Sequence, residues 1–130
     1  MPSIRHLAIM CQDPSAMAEF YKGTFDLHEV ARQGPVVYLS DGYINVALLK
    51  AREGVKPGIH HFGILVEDMD ETRKRLALAE VPDPTQKPQD GRYAELGATD
   101  VEGNKFDLGV DGWKTKPGEG LSDRVEAAAP

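Results

Sequence analysis

An internal echo constrains this chain more than any other feature. The run Ile4-Arg5-His6-Leu7-Ala8-Ile9-Met10-Cys11-Gln12-Asp13 is answered by Ile59-His60-His61-Phe62-Gly63-Ile64-Leu65-Val66-Glu67-Asp68, at a constant offset of 55 residues. Self-similarity on this scale is the mark of a duplicated supersecondary unit, which cannot bury its own apolar face and needs its copy as a partner. Each run carries alternating or near-continuous apolar residues and ends in an acidic turn, so each reads as a strand. A helical stretch follows each. Over Pro14 to Tyr21, Asp13 can cap, Pro14 sits at the first helical position where its missing N–H costs nothing, and Met17, Phe20 and Tyr21 form the apolar stripe. Over Met69 to Ala79, Asp68 or Asp70 can cap, Met69, Thr72, Leu76 and Ala79 fall near one face, and Arg73, Lys74 and Arg75 lie largely on the solvated side.

Further strands are expected at Leu27 to Arg32, Val36 to Leu39 and Tyr43 to Lys50, then at Arg92 to Leu96 and Lys105 to Val110, with Gly-, Pro- and Asn-containing turns between them. Val81 to Pro88 holds three prolines and cannot be a long central strand. Each half is thus a strand, a helix and two or three strands, an α+β pattern in which helices cover one face of the sheet and leave the other free. Period-two alternation sets His6, Ala8 and Met10 against Leu7, Ile9 and Cys11, and His61, Gly63 and Leu65 against Phe62, Ile64 and Val66. The bulkier sets belong under the helices, so both histidines face the open side. Ala8 and Gly63, two residues after them, keep that side shallow.

At 130 residues the chain is one domain's length, and 41% hydrophobic with 28% charged residues is ordinary globular composition. Fifteen basic against 21 acidic residues give a net charge of −6, which disfavours nucleic acid because a phosphate backbone selects for Lys/Arg clusters. One cysteine cannot form an intrachain disulfide, there is no leader-like apolar segment after the N-terminus, and no window approaches a membrane span, so a soluble cytoplasmic protein is expected. Residues from Lys114 onward, rich in Pro, Gly and charge, read as a tail, with Trp113 at its root.

Two histidines at matched repeat positions are a plausible start for a metal site, since neutral imidazole is the commonest ligand. In Asn104-Lys105-Phe106-Asp107-Leu108-Gly109, Phe106 and Leu108 take the core side and Asp107 points with Lys105 to the open face. His6, His61 and Asp107 therefore make a candidate two-histidine, one-carboxylate set. His60 is the rival to His61, but the repeat pairs it with Arg5 and strand parity points it the other way. His28 has no repeat partner and reads as a surface residue. Cys11 falls on the helix side, where a buried thiol is inert.

The two histidine-bearing runs, together with Glu102-Gly103-Asn104-Lys105-Phe106-Asp107-Leu108, resemble the vicinal oxygen chelate superfamily, which includes glyoxalase I, extradiol dioxygenases, methylmalonyl-CoA epimerases and bleomycin or fosfomycin resistance proteins. The resemblance spans about Ile4 to Val110. It implies two paired βαβββ modules, about 3–52 and 58–112, in one domain over 1–113, with 114–130 as the tail. The modules would form a cupped mixed β-sheet with the helices on its outer face. It also implies a divalent metal held by the first strand of each module and the last strand of the second, and a homodimer acting on a small molecule.

Two departures from the family pattern bear on activity. The last-strand ligand is usually Glu, and Asp107 is one methylene shorter. The glyoxalase and epimerase branches take a fourth ligand from the last strand of the first module, where Ala47 stands here, with Asn45 two residues away. Three ligands leave positions for a chelating substrate and dioxygen at iron(II), so the resemblance points to a ring-cleaving, extradiol-type dioxygenase with iron(II) favoured over manganese, nickel, cobalt or zinc. Tyr93, Tyr43 and Tyr38 are available as proton donors, and Arg92 or Lys105 as a carboxylate anchor. The competing readings are a lyase or isomerase of glyoxalase type and a metal-free ligand-sequestering protein.

Overall fold

The structure, a computed structural model, describes residues 2–86, 95–110 and 115. Its elements run β1 (Ser3–Cys11), α1 (Pro14–Phe25), β2 (His28–Gln33), β3 (Val36–Ser40), β4 (Asn45–Lys50), β5 (Gly58–Leu65), α2 (Met69–Leu78), β6 (Thr85–Gln86), β7 (Leu96–Thr99) and β8 (Lys105–Gly109). The two repeated runs are β1 and β5, and they pair antiparallel at the centre of one open eight-stranded sheet ordered β2-β3-β4-β1-β5-β8-β7-β6. On either side the arrangement repeats itself. β4 joins β1 in parallel, β8 joins β5 in parallel, and the remaining strands follow as antiparallel neighbours.

Local chemistry sets the helix limits. Asp13 accepts the Ala16 N–H, Pro14 opens α1, and Asp26 ends it in the left-handed region at φ 59° with its N–H on the Lys22 carbonyl. The helix runs past Tyr21 to Phe25 because Lys22, Gly23 and Thr24 hold no proline to stop it. Asp68 caps α2 through the Glu71 N–H. β4 begins at Asn45 rather than Tyr43. The Asp41 carboxylate accepts the Tyr43 and Ile44 N–H groups and holds both residues in the turn, and these bonds keep its carboxyl below the usual range. The proline-rich stretch contributes only the two-residue edge strand β6. The expected strand at Arg92 to Leu96 falls mostly outside the described residues, and the strand seen there starts at Leu96.

The helix side of the sheet is apolar in both halves. Cys11, Ala18, Val37, Leu39 and Leu48 form one buried cluster, while Val66, Phe106 and Leu108 form the other. Burial among these neighbours pushes the Cys11 thiol up, away from reactive thiolate character. Leu48 is fully buried, so Leu48→Ala is expected to destabilise the protein by about 2–5 kcal/mol in a denaturant titration. Among the described residues no helix is long and apolar enough to cross a membrane.

Candidate metal centre

Strand registers bring the three residues of the sequence reading together. His6 on β1 pairs with Gly63 on β5, and Gly63 pairs with Asp107 on β8, so these residues form one row across the open face. His61 stands one step along, opposite Ala8. The His6 ring leans across Gly63 toward Asp107. A Cβ at position 63 would lie 2.2 Å from both Cε1 and Nδ1 of His6, far inside contact distance, so glycine is what gives the imidazole its place.

Around this glycine the polar atoms converge. His61 Nε2 lies 2.9 Å from Asp107 Oδ2, and His6 Nε2 lies 3.7 Å from the same oxygen. The two imidazoles meet nearly edge to face, 5.6 Å between centroids with planes at 86°. One donor atom from each of His6, His61 and Asp107 falls within 4.8 Å of the others, close enough for the three to converge on one ion. His6 and Asp107 are buried and His61 is partly so, which suits groups whose charge and lone pairs a bound cation would compensate. Asp107, although shorter than a glutamate, lies within this group.

Three more polar residues stand close to the trio. Glu95, just before β7, is buried and brings Oε1 to 3.8 Å from His6 Nδ1, so a second carboxylate stands near this imidazole. Alternation puts Glu95, Gly97 and Thr99 on one face, and the pairing of Gly97 with Asp107, seen only in the assembled sheet, makes that the face of the trio. Asn45 pairs with His6 from the other side, is buried, and has an amide whose oxygen and nitrogen both lack a hydrogen bond. His60, expected to face away, instead has Nδ1 2.7 Å from His61 Nδ1.

A cavity of about 400 Å³ opens beside the trio, lined by His60, His61 and Asp107 and by Thr85, Thr99 and Lys105 among others. Lys105 shares a strand face with Asp107 two residues away. Asp83 also lines the cavity, but its carboxylate is engaged by the Arg73 guanidinium. Tyr43 lies elsewhere. It sits in the β3–β4 turn, 66% exposed, with the Arg5 guanidinium 5.8 Å from its ring centroid. Tyr38 is buried on the open face of the first module among Ala8, Val30 and Ala47. Tyr93 and Arg92 lie outside the described residues. The half-buried His28 contacts the Thr115 carbonyl through Nε2.

Comparison with known proteins agrees with this architecture. The profile of the glyoxalase/bleomycin resistance protein/dioxygenase superfamily matches residues 3–108. The chain belongs to that superfamily. Among solved structures, a hypothetical protein from Bacillus halodurans superposes with a TM-score of 0.68 at 17% identity, covering 82% of this chain and 92% of that one. A methylmalonyl-CoA epimerase from Streptomyces coelicolor gives 0.61 at 21% identity, with 82% and 92% covered. The 2,3-dioxygenase LapB from Pseudomonas sp. KL28 gives 0.68 at 18% identity, covering 89% of this chain and 42% of that one. No curated protein matches. At these identities the structural likeness establishes the superfamily fold and not the reaction.

The duplication also gives Asp107 a counterpart in the first module. Ala8 pairs with Ala47 in the first module just as Gly63 pairs with Asp107 in the second. Ala47 is therefore the structural counterpart of Asp107, and its methyl group has no lone pair to offer a cation.

Proposed function

We propose that this superfamily member is a metal-dependent enzyme that cleaves the ring of a small catechol-like substrate in the manner of extradiol dioxygenases. His6, His61 and Asp107 would hold the metal, with iron(II) favoured. The observation that carries this reading is the alanine at position 47: with His6, His61 and Asp107 as the three converging donors among the described residues and none at position 47, the centre would keep places for a chelating substrate and a second small molecule. A metal there would act as Lewis acid toward the vicinal oxygens and as the electron conduit to dioxygen.

The chain's own residues would orient the substrate. The Lys105 ammonium on the cavity wall offers a carboxylate-bearing ring a charge-assisted hydrogen bond, and the Asn45 amide has hydrogen-bonding capacity to give to a polar group beside His6. Tyr93 is the residue the sequence offers for proton donation. Lys105→Met is expected to weaken binding of 3,4-dihydroxybenzoate about tenfold and to leave catechol within twofold, as read by anaerobic titration.

Oxygen uptake tests the reaction itself. After anaerobic loading with iron(II), the protein is expected to consume oxygen in a catechol-dependent way and to yield the yellow ring-opened product. Bound metal with no uptake across a catechol panel would transfer the assignment to a lyase or isomerase. No metal affinity would leave a ligand-sequestering protein.

A further inference from the structure

Neighbouring residues of a regular strand face opposite ways, so His60 ought to point away from His61. β5 is not regular at this point. Ala8 pairs with His61 but Ile9 pairs with Ile59, which leaves His60 as the extra residue of a bulge. An extra residue of this kind is left out of the ladder and its side chain is re-aimed. The His60 ring accordingly turns to the cavity and meets the His61 ring edge to face, 5.0 Å between centroids at 79°. Nδ1 of His61 is 2.7 Å from Nδ1 of His60, while Nε2 at the far end of the same ring is 2.9 Å from Asp107. The ring is held at both nitrogens.

We infer that His60 is the positioning residue for His61, an inference that rests on the metal-centre reading above. A neutral imidazole carries one N–H. With Nε2 turned to a cation, that proton sits on Nδ1 and is donated to Nδ1 of His60, whose own proton then lies on Nε2. An acceptor on the outer nitrogen fixes the tautomer and orientation of a metal-binding histidine and raises its basicity. The bulge is itself duplicated: Ile4 pairs with Ile64 and His6 with Gly63, leaving Arg5 as the extra residue of β1. A guanidinium accepts no hydrogen bond. In the first module the group that stands near the outer nitrogen of His6 is the Glu95 carboxylate, 3.8 Å from Nδ1 and beyond hydrogen-bond distance.

Competition titration with cobalt(II) or zinc(II), combined with ¹⁵N spectroscopy of the histidine rings, tests this. His60→Leu is expected to lower metal affinity by about 10- to 100-fold. His60→Asn, whose amide oxygen can take the same hydrogen bond, should recover most of that loss, which a purely steric role would not predict. In the zinc-loaded wild type His60 should appear as the Nε2–H tautomer and His61 as Nδ1–H. Unchanged affinity in His60→Leu, or a proton on Nδ1 of His60 in the loaded protein, overturns the inference. Should the wild type bind no metal, the metal-centre reading fails and the metal-free spectrum decides the contact. A single slowly exchanging His61 tautomer that averages in His60→Leu upholds the hydrogen bond, and an identical spectrum in the two proteins overturns it.

Discussion

Gly63→Ala is expected to dismantle the candidate metal centre while most of the sheet stays intact. The added methyl group would sit 2.2 Å from two atoms of the His6 ring, so the ring must swing off its row. His6 is 3% exposed and has no solvent to swing into, so the displacement strains its neighbours and takes Nε2 away from Asp107. Overpacking at a buried site costs about 1–3 kcal/mol, to be read as a lowered denaturation midpoint. Metal affinity should fall at least as far as in His6→Ala, because the same donor is lost. A Gly63→Ala protein with wild-type affinity would show that the His6 ring is not the donor. Gly63 is helical nowhere and has ordinary backbone torsions, so its requirement is space rather than conformation.

The second large effect is expected at Asp107. Its carboxylate is the one anion of the trio and faces both imidazoles, and β8 holds it at a buried position beside Gly63. Asp107→Ala removes a donor and the charge that offsets the cation. The loss in affinity should exceed the roughly 10- to 100-fold that an outer partner contributes. His61→Ala should behave alike. Both proteins are expected to keep a cooperative unfolding transition, since the apolar clusters on the helix side involve neither residue. Affinity within threefold of wild type for Asp107→Ala, measured by competition with a chromophoric chelator, would remove the residue from the centre.

How much of this was readable in the sequence depended on whether a strand stayed regular. His6, His61 and Asp107 lie in runs where apolar residues mark the core face, so parity alone gives their direction, and the repeat adds the pairing of β1 with β5. Ala47 was legible for the same reason. His60 was misread because a bulge inverts parity locally, and nothing in Gly58-Ile59-His60-His61 announces a bulge, since bulges arise from pairing with the partner strand. Tyr43 looked like the first residue of a strand by its aromatic ring, whereas Asp41 binds its backbone into the turn. Glu95 stood beside a strand whose start was misplaced. Its approach to His6 spans two intervening strands, β8 and β5, a distance that only the assembled sheet reveals.

X-ray absorption at the metal edge, on protein titrated to saturation with iron(II) or cobalt(II), reads the ligands of the proposed centre. One ion per chain with scattering from two imidazoles is expected, with the loss of one imidazole in His61→Ala. Saturation with three imidazoles would place His60 on the metal, and an absence of imidazole scattering would contradict the centre altogether.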